Sequence, residues 1–310
     1  MLSCLLPFFN SFYFRDKLPS TASNNREHTA LQWGIVSLIL FAAALHAGWN
    51  VLIKAESGDS SNTILIIAGS AVIGVVFLPF VPLPLAASWP YLGASVVIHM
   101  FYFGILLLAY KKGDMSLVYP LMRGLPPMLT ALAAAVLLSE SLSIKGWTGV
   151  ALVSAGALLL TADFRLSKKF QPAPVALAVV EAAIIVLYTL VDAQGARLSG
   201  HAFSYTGWML FFLALICLVA MPLIEGRQVF PKILQNWKKS LIGGTFTFTS
   251  YGIALWAMTQ APVALVAALR ETSIFFGTIL SIFILKERIT WIRGLSIILI
   301  IAGAIAIKIS

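Results

Sequence analysis

The stretch from Leu121 to Leu138, LMRGLPPMLTALAAAVLL, is an apolar segment with a single charge, Arg123. A second stretch, from Leu269 to Leu285, reads LRETSIFFGTILSIFIL and carries Arg270 near its start. The other Lys and Arg residues lie at the ends of apolar segments, in short connections or in the N-terminal region. An ionisable side chain inside a membrane span is expensive and indicates a functional site. Arg123 and Arg270 are therefore the first candidates for binding.

The composition is that of a membrane protein. The chain is 60% apolar and 11% charged, with a mean hydropathy of +0.94, whereas soluble domains carry about 25% charged residues. Its net charge of +9 lies beside the apolar segments, where lipid headgroups attract it, and no basic stripe indicates nucleic acid. Cys4 and Cys217 suggest no disulfide framework, and metal-ligand spacing is absent. We expect no metal and no cofactor.

The apolar segments are long enough to cross a bilayer core of about 30 Å, which takes about 20 residues. Runs of this length fold as helices, because lipid offers backbone groups no hydrogen-bond partner, and they do not alternate as β-barrel strands do. We predict an all-α integral membrane protein, multi-pass in the cell membrane, with ten transmembrane helices over 31–53, 62–82, 91–110, 115–138, 145–162, 173–193, 203–224, 240–259, 262–285 and 290–308.

Residues 1–30 form a different region, which we predict to be an N-terminal tail without a functional role. Met1 to Phe14 is apolar but too short to span a membrane. It lacks a basic leading region, so we expect no cleaved signal peptide, and an interfacial anchor is the alternative. Arg15 to His28 is polar.

An internal repeat relates the two halves of the chain. Met122–Ala157 aligns with Leu269–Ala304 without a gap at an offset of 147, which matches Arg123 to Arg270 and Glu140 to Glu287. Further upstream the offset becomes 148, so Arg123 matches either Arg270 or Glu271. His46 and Asn50 fall on Tyr188 and Asp192 at an offset of 142. We predict five duplicated spans, in halves 31–162 and 173–310.

Five spans are an odd number, so the second half must enter the membrane upside down relative to the first. Transporters with inverted repeats hold their substrate near the midplane, between the repeats. Small residues seven apart on spans 5 and 10, Gly149/Gly156 and Ser296/Gly303, allow close helix approach. We predict that they pack the halves together, with a homodimer interface as the alternative.

Specific motifs make the resemblance to a family clear. The chain carries Ser139-Glu140-Ser141 followed by Ala155-Gly156, then Lys286-Glu287-Arg288 followed by Ala302-Gly303, with His46-Ala47-Gly48-Trp49-Asn50 and the run from Ala261 to Glu271. It resembles the EamA-type family of the drug/metabolite transporter superfamily over residues 31–310. The resemblance implies ten helices, a central cavity, cytoplasmic termini, and export or exchange of small metabolites by secondary transport.

The distribution of basic residues argues for the opposite orientation. Thirteen Lys and Arg residues flank the connections after spans 1, 3, 5, 7 and 9, against six on the other side. The positive-inside rule would then place the termini outside. The orientation stays open between the charge rule and the resemblance.

Arg123 and Arg270 are predicted to bind the charged group of a substrate. Pro127 cannot donate to the carbonyl of Arg123, which predicts a break in span 4 beside a guanidinium that suits carboxylate or phosphate. Snorkelling of Arg123 to the headgroups is the alternative. Arg270 and Glu271 point about 100° apart on span 9, so one faces a cavity while the other pairs with a neighbouring span. Glu271 is a proton-coupling candidate or a structural partner.

The remaining candidates lie on spans 1, 4, 6 and 8. Glu181 lies within span 6, as a proton-coupling candidate or as a buried partner for an arginine, while Asp192 lies near the span end, where water is expected to reach it. The alternative for His46 is a packing role, and aromatic residues also serve interface belts. The predicted substrate-binding residues beside the arginines are Tyr119, His46, Asn50, Tyr188, Tyr251 and Trp256.

We predict a secondary-active transporter, not an enzyme, for a small polar metabolite that is anionic or zwitterionic. No Gly-x-x-x-x-Gly-Lys-Ser/Thr loop indicates ATP as the energy source. The expected partners are the small-molecule substrate, the lipid bilayer and a second copy in a homodimer. The alternatives are a flippase for lipid-linked substrates, an accessory membrane subunit, or a membrane-embedded enzyme, which would need a convergent catalytic set.

Overall fold

The computed structural model describes residues 32–54, 60–113, 115–165, 172–226, 229–285 and 290–310, and the predicted tail over 1–30 lies outside them. Within those ranges the secondary structure is helical. The helices are α1 (Trp33–Lys54), α2 (Ser60–Phe77), α3 (Trp89–Lys112), α4 (Met115–Leu137), α5 (Ile144–Arg165), α6 (Pro172–Leu198), α7 (Ala202–Glu225), α8 (Val229–Gln235), α9 (Trp237–Gln260), α10 (Val263–Arg270), α11 (Ser273–Leu285) and α12 (Trp291–Lys308), with short 3₁₀ turns at Leu78–Phe80 and Ala86–Ser88.

The membrane class predicted from composition is confirmed. Eight stretches within the described ranges are long and apolar enough to cross a membrane: Trp33–Asn50, Ala86–Ala109, Val118–Leu137, Ile144–Thr161, Pro172–Leu198, Ala202–Ala220, Val263–Leu280 and Trp291–Lys308. The predicted spans 62–82 and 240–259 are not among them. The apolar part of the first is shorter, Leu65–Phe80, and α9 carries glycine, threonine and serine between 243 and 250. The number ten stays a prediction.

The predicted break beside Arg123 is wrong, because α4 continues through Pro120, Pro126 and Pro127. The backbone N–H of Met128, which follows the two prolines, donates a hydrogen bond to Ser154 Oγ on the neighbouring helix α5 at 3.1 Å. The interruption lies instead in the predicted span 262–285. There α10 ends at Arg270 and α11 begins at Ser273.

The small residues predicted on spans 5 and 10 lie in contact, where α5 and α12 pack together. A Cβ at Gly149 would lie 2.8 Å from the carbonyl oxygen of Gly303, and one at Gly303 would lie 2.7 Å from that of Gly149. Ser296 Oγ donates to the carbonyl of Gly156 at 2.6 Å. These residues therefore join the two halves within one chain, and a homodimer stays a prediction.

Helices of the two halves pack in matching combinations. The contact of α3 with α6 corresponds, under the five-span repeat, to that of α9 with α1. The contact of α2 with α9 corresponds in the same way to that of α7 with α3. The contact of α4 with α6 corresponds to that of α10 and α11 with α1. This arrangement brings α4, α6, α10 and α11 together in the interior, where Arg123 and Arg270 lie.

A partly buried ion pair connects several helices at one end of the bundle. Arg197 Nη2 lies 2.7 Å from Glu140 Oε1, while Arg197 Nε donates to the carbonyl of Met258 at 2.9 Å. The second carboxylate oxygen of Glu140 accepts from the N–H of Val263, the first residue of α10, at 2.8 Å. Ser139, before it, has a left-handed φ of 52°, which turns the chain after α4. We call the Glu140–Arg197 pair with its two backbone contacts the end tie.

Candidate functional site

Arg123 and Glu271 form an ion pair in the interior. The Nε of Arg123 lies 3.0 Å from Glu271 Oε2, and their side chains are 11% and 8% exposed. The Nη2 of Arg123 also donates to Ser273 Oγ at 3.4 Å. Since Arg123 is buried, the alternative of snorkelling to the headgroups does not describe it. The turn between α10 and α11 places Glu271 and Ser273 so that both face α4.

Arg270 lies against a different set of side chains, as its angle from Glu271 requires. Its guanidinium carbon lies 5.4 Å from the centre of the Tyr251 ring, within the range of a cation–π contact. The Tyr251 hydroxyl donates to Asp192 Oδ2, and the Tyr205 hydroxyl donates to Asp192 Oδ1 at 2.9 Å. No carboxylate ion pair of Arg270 occurs in the part of the chain that the structure describes.

Asp192 is fully buried, so the expectation that water reaches it is wrong. Gly195, one turn later on α6, makes room for its partner. A Cβ at Gly195 would overlap the ring and hydroxyl of Tyr205. With both carboxylate oxygens held by phenols, Asp192 fixes Tyr251 and, through that ring, the position of Arg270.

Aromatic side chains line the same region. His99 on α3 stacks on Tyr188 with ring centres 4.4 Å apart and meets Tyr251 edge-on at 6.1 Å. Tyr102 meets Tyr188 edge-on at 5.7 Å. The His99 Nδ1–H donates to the carbonyl of Ser95 at 2.9 Å, which fixes its ring. These rings form an aromatic cluster, and its member Tyr251 contacts the guanidinium group of Arg270.

His46 on α1 lies within electrostatic range of both Arg123 and Arg270. Tyr188 on α6 is likewise within electrostatic range of both, and Tyr119 interacts with Arg123 and Glu271. His46 and Tyr188 occupy matching places in the predicted repeat. We call the following residues the central polar cluster: His46, Tyr119, Arg123, Tyr188, Asp192, Tyr205, Tyr251, Arg270, Glu271 and Ser273.

Three predicted site residues lie elsewhere or make other contacts. The Asn50 side chain turns back on its own helix and donates to the carbonyl of His46 at 2.7 Å. Trp256 packs against the main apolar core. Glu181 is fully buried, and both its carboxyl oxygens lack a hydrogen-bond partner among the described residues. The reading of Glu181 as a partner for an arginine is therefore wrong.

Some members of the cluster were not among the predicted site residues. Tyr205, Ser273 and Asp192 take part through contacts that cross between helices. Asp192 follows Tyr188 by four residues and so shares its helix face, a spacing that marks it as a candidate. No pattern in the sequence pairs Tyr205 with Asp192 or Ser273 with Arg123, because those contacts depend on how the helices pack.

The cluster suits a ligand that carries a negative charge. Two guanidinium groups and two carboxylates balance in formal charge, but Arg123 is ion-paired with Glu271, whereas Arg270 contacts the Tyr251 ring and has no carboxylate ion pair among the described residues. The planar guanidinium of Arg270 can therefore offer paired N–H donors to a carboxylate or phosphate. Buried cations within membrane bundles mark binding sites or ion pathways.

Comparison with known proteins agrees with the resemblance derived from the motifs. Residues 173–309 match the EamA-like transporter family. The predicted EamA-type resemblance is confirmed over this part of the chain. Members of this family are transporters rather than enzymes.

The fold also matches a known structure. A solved crystal structure with 19% sequence identity superimposes with a TM-score of 0.67, covering 87% of this chain and 96% of that chain. At this identity the likeness concerns the fold alone, but it extends over both halves. No curated protein matches the chain in sequence.

Proposed function

We propose that this protein is a secondary-active transporter that carries a small anionic or zwitterionic metabolite across the cell membrane. The observation that carries the proposal is the position of Arg270. Its guanidinium lies in the bundle interior against Tyr251, without a carboxylate ion pair among the described residues, while the neighbouring Arg123 is already paired. A half-buried cation within a membrane bundle, without such an ion pair, fits a site where an anionic ligand neutralises it during part of the cycle.

Alternating access around the central polar cluster is the mechanism we propose. Support comes from the matching helix combinations, in which α3 on α6 corresponds to α9 on α1. It also comes from Arg123 and Glu271, which lie at equivalent places under the offset of 148 and meet across the halves. Ten helices in two inverted repeats would place this contact near the pseudo-two-fold axis, where such transporters bind substrate.

In this mechanism Arg270 binds the anionic group of the substrate, and the rings of His99, Tyr188 and Tyr251 contact its body. Asp192 holds the Tyr251 hydroxyl, so the cation–π contact keeps Arg270 oriented before the substrate arrives. Preorganised groups of this kind lower the entropy that binding would otherwise cost. Export or exchange is the direction that the resemblance implies.

Counterflow in vesicles tests the proposal directly. Purified protein in lipid vesicles is loaded with unlabelled pyruvate, succinate, glycerol 3-phosphate or tyrosine, and entry of the same labelled compound is measured. We expect exchange of at least one compound, with Arg270→Gln reducing its rate by about tenfold or more. Lysine at position 270 should retain part of the rate, because it keeps the charge but not the planar donor pair.

Two outcomes would overturn this assignment. Exchange that is the same in wild type and Arg270→Gln would remove the arginine from the mechanism. Movement of a fluorescent phospholipid between leaflets, without exchange of any of the four soluble compounds, would favour a lipid flippase instead. Empty vesicles and the matched variant Thr189→Val, which removes a hydroxyl bonded only within its own helix, serve as controls.

A further inference from the structure

Glu181 is a buried carboxyl group that the proposed binding mode does not use. It lies on α6, on the helix face that also carries Tyr188 seven residues later. Its exposed fraction is zero, and neither oxygen has a hydrogen-bond partner among the described residues. The two carboxylates of the central polar cluster do have partners, since Glu271 is ion-paired with Arg123 and both oxygens of Asp192 accept from phenols.

The face of α6 packs against apolar side chains one turn before Glu181. Ala178, one turn earlier on the same face, packs with Ala109 of α3 and with Val118 and Met122 of α4. Among the described residues no cation pairs with Glu181 and no group donates a hydrogen bond to it, so the ionised carboxylate would cost far more than the protonated acid. This burial therefore favours the neutral carboxyl group over the carboxylate.

The helices that pack against α6 are α3, α4, α7, α9 and α10. Among their described side chains none is hydrogen-bonded to Glu181. Tyr188 is the cluster residue with which Glu181 interacts electrostatically, and Tyr188 in turn interacts with Arg123 and Arg270. The titratable and charged groups that these helices and α6 itself present on the interior side are His99, Tyr102, Tyr119, Arg123, Tyr188, Asp192, Tyr205, Tyr251 and Arg270.

We propose that Glu181 is a proton-binding site whose occupancy controls anion affinity at Arg270. With Glu181 protonated, the two guanidinium groups balance Glu271 and Asp192, and an incoming anion meets no excess negative charge. When Glu181 releases its proton to water, the carboxylate adds one negative charge to the same low-dielectric interior. Coulomb repulsion there is weakly screened, so the anion binds less tightly.

Linkage makes this relation reciprocal. If protonation tightens anion binding, then the anion tightens proton binding by the same factor. The protein therefore binds the proton and the anion together, and one proton crosses the membrane with each anion. The inference rests on the proposed function, because it names the coupled ion of the same central polar cluster.

The proton site can be tested without any substrate. Infrared difference spectra of the protein in lipid nanodiscs, recorded between acid and alkaline pH in H₂O and in D₂O, report the C=O stretch of protonated carboxyl groups. We expect a band at neutral pH that is absent in Glu181→Gln and present in Thr189→Val. Glu181→Gln should fold normally, since the amide has nearly the shape and the neutral charge of the protonated acid. An unchanged band in Glu181→Gln would overturn the proton site.

The linkage is tested with the compound that counterflow identifies among pyruvate, succinate, glycerol 3-phosphate and tyrosine. In wild type we expect its affinity to fall with rising pH, approaching about tenfold per pH unit once Glu181 ionises, as one linked proton requires. In Glu181→Gln the affinity for the anion should be the same at every pH and equal to that of wild type at acidic pH. In Glu181→Asp the affinity should still depend on pH. A pH dependence of the same size in Glu181→Gln would overturn the linkage.

The two proposals can fail separately. If no compound exchanges while the infrared band disappears in Glu181→Gln, the anion site is wrong and the proton site stands. If exchange depends on Arg270 but its pH dependence survives in Glu181→Gln, the transporter stands and proton coupling through Glu181 is wrong.

Discussion

The Nε of Arg123 lies 3.0 Å from Oε2 of Glu271, in an ion pair that joins α4 of the first half to the turn between α10 and α11. Arg270, one residue before Glu271, contacts the Tyr251 ring instead. Two arginines that sequence alone presents as equivalent therefore have different roles. Arg123 joins α4 to the turn between α10 and α11, whereas Arg270 is the residue that we propose binds the ligand.

Arg123→Gln should destabilise the protein. Removal of one partner from a buried ion pair leaves an uncompensated charge, which costs about 3–5 kcal/mol. Thermal unfolding in detergent should show a clearly lowered midpoint, and the double variant Arg123→Gln/Glu271→Gln should recover most of the loss. A double variant that is no more stable than the single one would contradict this account of the pair.

Arg270→Gln should lower stability less than Arg123→Gln does, since it breaks no carboxylate ion pair among the described residues. The loss of one cation–π contact costs about 0.5–2 kcal/mol. Measured beside Arg123→Gln, the unfolding midpoint of Arg270→Gln should lie nearer to wild type while exchange is lost. The reverse order of stabilities would mean that the roles of the two arginines have been interchanged.

Tyr251→Phe and Tyr205→Phe form a matched pair, because each removes one phenol from Asp192. Each should lower stability by about 1.5–3 kcal/mol, the range for hydrogen bonds to charged groups. Of the two variants, only Tyr251→Phe should also weaken anion binding by several-fold, since it is the Tyr251 ring that makes the cation–π contact with Arg270. Equal effects of the two variants on anion binding would remove Tyr251 from the positioning of Arg270.

Glu140→Gln should loosen the end tie. The carboxylate engages Arg197 and the N–H of Val263 together, and an amide can keep only the second contact. We expect faster maleimide labelling of Cys introduced at the buried Ser199, in a background where Cys4 and Cys217 are replaced. Lys145→Gln, which removes an exposed charge near the start of α5, is the control. Equal labelling rates in both variants would show that the pair does not restrict access at this end.

Gly303→Ala should disturb the contact between α5 and α12, because the added Cβ would lie 2.7 Å from the carbonyl oxygen of Gly149. Overpacking of this kind costs about 1–3 kcal/mol. Gly294→Ala on the same helix is the matched control, since a Cβ there meets nothing within 4 Å. The unfolding midpoint should fall in the first variant and hold or rise in the second. If both midpoints respond alike, close approach at Gly303 is not what stabilises this contact.

The sequence predicts the membrane class, most span positions and the interior arginines, because hydrophobic length and the cost of a buried charge are local properties. It misplaces the helix interruption. Proline marks α4 as the weaker helix, yet the packing of Ser154 against the Met128 N–H compensates there. In 262–285 no proline lies between Val263 and Leu285, and the turn at Glu271 accompanies its ion pair with Arg123.

The sequence by itself therefore determined that this is a helical membrane protein with a resemblance to a transporter family, and that Arg123 and Arg270 lie at costly positions within apolar segments. Only the tertiary structure decided which arginine is neutralised, that Asp192 is buried between Tyr205 and Tyr251, and that Glu181 has no partner. The physical reason is that charge and apolar length act residue by residue along one helix. Ion pairing and burial depend instead on which helices meet, and residues about 150 positions apart, such as Arg123 and Ser273, come into contact only when the halves pack.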